Sequence, residues 1–278
     1  MTRVSFRKMH GLGNDFVVLD QRRDPLPIDA AAARALADRH TGIGCDQVLL
    51  LEPPRDARAQ VFMRILNPDG CEAEACGNGT RCVASLIADE IGRLEVTIET
   101  VAGLLPASID AAGVATVAMG EPRFGWRDIP LSREMDTLHV DLRRGPLADP
   151  VCTNMGNPHA TFFVDDAEAI DLATLGPELE HDALFPERAN IGIATVRDRQ
   201  TIRFRVWERG AGITRACGSG ACAAMVAARR RGLVGGRITV MLDGGSLDIA
   251  WPGTGAVLMS GPVALSFEGT FDTALIGG

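Results

Sequence analysis

The chain has 278 residues, 46% of them hydrophobic and 23% charged, which is long enough for two domains with cores of their own. Lys and Arg total 28 against 36 Asp and Glu, a formal net charge of −8 that disfavours a general binder of nucleic acid or anionic membrane. No apolar run approaches the ~18 residues of a membrane span. Residues 1–20 carry Arg3, Arg7, Lys8 and Asp15 without an apolar h-region, which predicts no secretory signal and a cytoplasmic location.

Strands are expected over 3–8 and 16–19, a helix capped by Asp29 over 29–39, and strands over 47–52 and 60–66. A helix over 78–91 follows, then strands over 94–100 and 114–118. The second half repeats that order. Its expected elements are a strand over 159–164, a helix over 173–181, strands over 189–196 and 201–207, a helix over 219–232, and strands over 237–242 and 246–250.

The repetition extends to residues. RILNPDGCEAEACGNG (64–79) aligns without a gap on RVWERGAGITRACGSG (205–220), matching Arg64 with Arg205, Ala75 with Ala216, Cys76 with Cys217, Gly77 with Gly218 and Gly79 with Gly220. Upstream, GND (13–15) faces GNP (156–158), and Gln47 before VLLL faces Asn190 before IGIA. Three matches in one order imply duplication. The expected fold is α+β, with two pseudo-symmetric domains, each a mostly antiparallel sheet wrapped around a central helix. Cys76 falls in an N-terminal domain of 1–120 plus 265–278, and Cys217 in a C-terminal domain of 121–264. VASLIA and AAMVAA, apolar nearly all round, suit helices enclosed by sheet.

Residue counts narrow the chemistry. There is no tyrosine to act as acid or base, and Lys8, the only lysine, would have to carry the Schiff base of any pyridoxal-phosphate enzyme. The cysteines at 45, 71, 76, 82, 152, 217 and 222 read as free thiols rather than a disulfide framework. Their spacing lacks the paired C-x₂₋₄-C pattern of a zinc site, so no metal is expected.

Cys76-Gly77-Asn78-Gly79 and Cys217-Gly218-Ser219-Gly220 each lead directly into a long helix. A helix start presents N–H groups and a partial positive charge; it suits a carboxylate and should lower a thiol pKa from ~8.5 toward 7 or below. Two such thiols could remove a proton from one face of a carbon and deliver one to the other. One copy alone would be an ordinary buried cysteine; the duplication argues for use. Gly218-Ser219-Gly220-x-x-Ala223 formally fits a dinucleotide fingerprint, but GAGITR (210–215) separates it from the preceding strand. Cys45, Cys71, Cys82, Cys152 and Cys222 are expected to pack as small apolar side chains.

These segments resemble the diaminopimelate epimerase family. MHGLGNDFVVLD (9–20), GIGCDQ (42–47), NPDG (67–70), ACGNGTRC (75–82), MGNPH (155–159), FPERAN (185–190), and ERGAG followed by ACGSGACA (208–223) run in family order through both halves. The resemblance implies a cofactor-independent isomerase interconverting LL- and meso-2,6-diaminopimelate in lysine and peptidoglycan precursor synthesis, with its site in a cleft between the domains. It implies that Cys76 and Cys217 are the catalytic acid–base pair. It places Asn14, Gln47, Asn67, Gly77, Asn78, Asn157, Asn190, Glu208, Arg209, Gly218 and Ser219 at the substrate, and His159 and Glu208 as groups that tune the thiols. Ile213 stands where family members often carry an acidic residue. The expected partner is the small-molecule substrate, without nucleic acid or membrane, and a homodimer is left open.

The residues carry a physical reading beside that resemblance. Asparagines and Gln47 are neutral two-sided hydrogen-bonders, and Arg209 can grip a carboxylate bidentately. Taken singly, Asn14, Asn67, Asn157 and Asn190 also fit ordinary turn chemistry. His159 alone fits a structural histidine, but beside the thiol pair it could hold one cysteine as thiolate. One cysteine must begin as thiolate and the other as thiol. Two other readings share these features: another two-thiol racemase, such as proline or hydroxyproline racemase, and a non-catalytic amino-acid-binding protein with incidental thiols.

Overall fold

The computed structural model describes residues 3–74 and 76–277; Ala75, matched above to Ala216, and the chain ends Met1, Thr2 and Gly278 lie outside them. The chain divides into two compact units, residues 1–117 with 261–278, and residues 118–260.

In the first unit, β1 (Arg3–Gly11) and β2 (Asn14–Asp20) form a hairpin turning on Leu12 and Gly13, both at positive φ. Asp29 then caps α1 (Ala30–Ala37), its Oδ1 accepting the N–H groups of Ala31 and Ala32 at 2.9 Å. This crossover lets β3 (Gln47–Glu52) pair parallel with β2, Phe16 opposite Gln47. Antiparallel β4 (Val61–Leu66) and the short β5 (Glu72–Ala73) follow, then α2 (Gly77–Ile91), which Gly92 ends in the left-handed conformation. β6 (Glu95–Thr100) returns parallel to β4, and β7 (Gly103–Ile109) and β8 (Ala115–Ala118) continue as antiparallel neighbours.

The second unit opens with a small hairpin, β9 (Arg143–Arg144) and β10 (Leu147–Ala148). It then repeats the first unit's pairing pattern. β11 (Val151–Asn154) is antiparallel to β12 (Pro158–Phe163), and α3 (Leu172–Glu180) crosses over to a parallel β13 (Asn190–Asp198), His159 opposite Asn190. Antiparallel β14 (Thr201–Glu208) and β15 (Gly212–Ile213) precede α4 (Gly218–Arg230). β16 (Arg237–Leu242) is parallel to β14, and β17 (Gly245–Ala250) and β18 (Leu258–Gly261) complete the series. β19 (Ala264–Asp272) has no counterpart and pairs antiparallel with β1.

Each unit therefore packs two layers against its sheet. Residues 220–228 of α4 are all buried, and strands β11 to β14, β16 and β17 surround the helix. On another face, Ala33 and Leu36 of α1 pack with Phe6, Val17, Leu19, Val48, Leu50 and Phe271. Leu172 and Leu179 of α3 pack in a core with Phe162, Ile191 and Ile193. The fold is α+β, and among the described residues no helix is long and apolar enough to cross a membrane.

Sequence reading passed over β7, β11, β18, β19 and the two-residue strands. β7 contains Pro106, which cannot donate to a ladder, and β19 contains Gly269, which blurs the alternation. Gly269 has a specific reason: a Cβ there would come within 2.7 Å of the Phe6 ring on the neighbouring strand.

The segment 42–45 runs back along the end of α1, with Ile43 and Gly44 N–H both donating to Leu36 O. A Cβ on Gly42 would lie 2.0 Å from Ala35 O, a backbone atom with no room to move. Gly42→Ala is therefore expected to destabilise the fold by about 2–3 kcal/mol. Urea unfolding should show a lowered midpoint with unchanged slope; a midpoint equal to that of the parent chain contradicts this packing.

Candidate active site

Cysteine sulfur occupies the capping position at both central helices. Cys76 has extended backbone, and its Sγ accepts the Gly79 N–H at 3.4 Å; Cys217 repeats this with Gly220 at 3.4 Å. The thiols thus take the place that Ser or Asp oxygen usually holds at a helix start. The third residue on must stay small. A Cβ on Gly79 would lie 3.5 Å from Cys76 Sγ and 3.2 Å from Leu49, and one on Gly220 would lie 3.2 Å from Cys217 Sγ and 3.0 Å from Phe204. Gly77 and Gly218 are the first helical residues, followed by Asn78 and Ser219, whose first-turn N–H groups no helical carbonyl can reach.

Around Cys76 the first unit assembles neutral amides. Asn14 Oδ1 accepts Asn78 Nδ2 at 3.0 Å and faces Cys76 Sγ at 4.0 Å, while Asn14 Nδ2 donates to Asp46 Oδ2 at 2.9 Å. Gln47 Nε2 donates to Asn67 Oδ1 at 2.9 Å, and the Asn67 backbone closes the NPDG turn through Gly70 and Cys71. Asn67 therefore serves a turn and a side-chain pair at once.

Around Cys217 the second unit adds ionisable groups. Ser219 Oγ lies 3.6 Å from Cys217 Sγ and 3.1 Å from His159 Nε2, which also meets Asn157 Oδ1 at 2.8 Å. The Glu208 carboxylate accepts the Thr214 hydroxyl, and its charge acts on the Cys217 thiol. Asn190 braces two backbones, donating to Pro158 O at 2.8 Å and accepting the Arg209 N–H at 2.9 Å. The exposed Arg209 guanidinium is steadied by Glu187 O at 3.1 Å. Ile213 is exposed on β15.

The electrostatics depart from the helix-start expectation. The Cys217 thiol is pushed well above its usual range, first by burial and then by the Glu208 charge, against the helix and Ser219. It rests as a thiol. His159 is pushed down to about 3 by burial, then by Arg209, so it is neutral at pH 7 and cannot hold a thiolate by charge. Ser219 Oγ links it to Cys217. Of the five cysteines expected to pack as apolar side chains, Cys45, Cys82, Cys152 and Cys222 are buried. Burial raises the first to about 11 and the next two to about 12. Cys71 departs from that expectation: the turn that closes back on Asn67 leaves it exposed.

The depressed His159 has a pH consequence. Near pH 7 both folded and unfolded chains hold it mostly neutral; below its ordinary 6.5 only the unfolded chain takes up the proton, so stability falls with pH. Between pH 7 and 5 this costs about 2 kcal/mol. His159→Gln should lose that much less over the same interval in urea titrations; equal losses in both chains contradict a buried neutral imidazole.

Several supporting residues were not singled out in the sequence, although Asp46 lies within GIGCDQ. Asp46 binds Asn14, and Thr214 binds Glu208. Buried Glu180 takes Trp207 Nε1 at 2.7 Å and Gly210 N–H at 2.9 Å, clamping the turn that bears Glu208 and Arg209. A carboxylate one helix upstream of a Gly-rich turn has no local pattern that would reveal the contact.

A model of the diaminopimelate epimerase family matches residues 6–125 and 151–266. The chain is 64% identical over 273 residues to the diaminopimelate epimerase of Rhodospirillum centenum, covering 98% of this chain and 94% of that one. This chain belongs to the diaminopimelate epimerase family. A second relative, the diaminopimelate epimerase of Acidiphilium cryptum, is 58% identical over 271 residues, 98% of this chain and 97% of that one. Solved structures share the fold at low identity. A hydroxyproline epimerase from Agrobacterium vitis superposes with TM-score 0.69 at 16% identity, covering 99% of this chain and 95% of that one. A Bacillus anthracis phenazine biosynthesis protein of the PhzF family gives 0.67 at 16%, covering 98% and 99%. Within the diaminopimelate epimerase family, then, this chain carries a capping cysteine in each of two matching units.

Proposed function

We propose that this chain is a cytoplasmic isomerase interconverting LL- and meso-2,6-diaminopimelate, for lysine and peptidoglycan precursor synthesis, with Cys76 and Cys217 as its acid–base pair. The observation that carries this reading is the cysteine that caps the central helix at the same place in both units of a family member.

The substrate's α-proton is weakly acidic, so the charge left behind must be held as it forms. The α-carboxylate takes first-turn N–H groups at Gly77 and Asn78 and at Gly218 and Ser219. They bind the enolate-like oxygens more strongly than the resting carboxylate, and losing one such donor costs about 3–4 kcal/mol. One cysteine thiolate forms an S–H bond with the α-proton, and the C–H electron pair passes into the carboxylate system. That pair then forms a new C–H bond with the proton of the other thiol on the opposite face, leaving it as thiolate. In one direction Cys217, buried beside Glu208, is the acid, and the thiolate fraction of half-buried Cys76, favoured by the Gly79 N–H, is the base. For the reverse isomer the two exchange roles.

Lys8 is not available for Schiff-base chemistry: its buried Nζ donates to Asp15 at 2.5 Å and to Gly44 O. Pure LL isomer incubated with the protein alone, followed by chiral chromatography, should yield meso isomer until equilibrium. Unchanged LL isomer would overturn the proposal.

A further inference from the structure

The Asn14 side chain is a reversible device. Half a turn about its last bond exchanges the acceptor for the donor at almost the same place, so its role depends on what fixes it. Here one end meets a group that can only accept. Asp46 Oδ2 takes Asn14 Nδ2 at 2.9 Å together with the Asp15 N–H at 3.1 Å. Asp46 Oδ1 is held by Arg39 at 2.7 Å, and Arg39 also grips both Asp15 oxygens at 2.6 and 3.0 Å. Buried Lys8 closes the network on Asp15, whose carboxyl these two cations hold far below its usual range despite burial.

The second unit lacks this device. Strand register places Ala189 at the position equivalent to Asp46, and Asn157, equivalent to Asn14, turns its carbonyl to His159 instead. The carboxylate is therefore specific to the Cys76 side.

We propose that Asp46, held by Arg39 and the Lys8–Asp15 pair, is a positioning residue that locks the Asn14 carbonyl toward Cys76 and Asn78. Its effect on turnover rests on Cys76 acting as proposed above; the orientation of Asn14 does not. In this orientation Asn14 accepts from the Cys76 thiol, opposing the Gly79 N–H that favours thiolate. A flipped amide would turn an N–H toward sulfur in place of the carbonyl oxygen. The charged groups around this cluster are Lys8 on β1, Asp15 on β2, Arg39 after α1, Asp46 before β3 and Arg81 on α2. Arg81 is buried, and a Cβ on Gly11 would lie 2.8 Å from its guanidinium.

The test is the pH-dependent rate at which iodoacetamide alkylates Cys76, read by mass spectrometry of the Cys76 peptide so that exposed Cys71 does not interfere. It needs no turnover, so failure of the proposed activity would not affect it. Asp46→Asn keeps the shape but offers either end to Asn14, and should speed alkylation at pH 7 about tenfold, the effect of one pKa unit. In an Asn14→Ala background the same change should alter the rate less than about twofold. Arg39→Gln, at a half-exposed residue, should act in the same direction by about threefold. It decides by the same comparison if Asp46→Asn does not fold. Equal acceleration with and without Asn14 would mean a direct charge effect and overturn the proposal, as would no acceleration in a folded variant.

Discussion

Cys217→Ala is expected to abolish epimerisation in both directions, and Cys76→Ala to do the same, each lowering kcat/KM at least about 10³-fold. Each thiol serves as base for one isomer and acid for the other, so neither direction survives with one alone. Both cysteines also cap helices, so alanine removes the cap and costs about 1 kcal/mol of stability. Serine separates the two roles. Its hydroxyl can accept the Gly79 or Gly220 N–H, but it does not ionise near neutrality. Cys→Ser should restore the melting temperature and leave activity as low as alanine does. More than a tenth of parental turnover in either serine variant would contradict a two-thiol mechanism.

Glu208→Gln should lower kcat/KM by about 10²–10³-fold, for a reason specific to this geometry. The carboxylate's charge is the second cause, after burial, of the raised Cys217 thiol. The amide keeps the shape and can still accept from Thr214, but it removes the charge and offers an N–H to sulfur. Cys217 then ionises more readily, although burial still raises it, and acid and base are less well separated. Alkylation of the Cys217 peptide should rise about tenfold at pH 8 while turnover falls. Unchanged alkylation together with unchanged turnover would show that Glu208 does not govern this thiol.

Local chemistry made much of the fold legible. Asp29 announced α1, the repeated CGxG announced α2 and α4, and the β-branched runs marked the central strands. The duplication was visible because the capping sulfur requires a glycine three residues on in both copies. β19 was not visible, because it pairs with a strand from the opposite end of the chain and carries the glycine that Phe6 needs. The ionisation of the site was equally hidden. A helix start alone argues for an acidic thiol; burial and a carboxylate nine residues upstream reverse that at Cys217, and both are tertiary facts. His159 reads as a charge donor in sequence and is a neutral, enclosed imidazole in the fold. The Lys8–Asp15–Arg39–Asp46 network joins residues scattered over four segments, so no motif holds it.

Two separate thiols leave a signature in the origin of the new hydrogen. The abstracted proton sits on the face opposite to delivery, so the product's α-hydrogen comes from the second thiol, which has equilibrated with solvent in the empty site. Started from the LL isomer in D₂O and stopped at low conversion, the reaction should give meso product carrying deuterium at the inverted carbon, while recovered LL substrate stays largely unlabelled. Started from the meso isomer, it should show the same asymmetry with the cysteines exchanged. Mass spectrometry of the two pools decides the matter: meso product that retains the substrate's own α-hydrogen would contradict the two-thiol account.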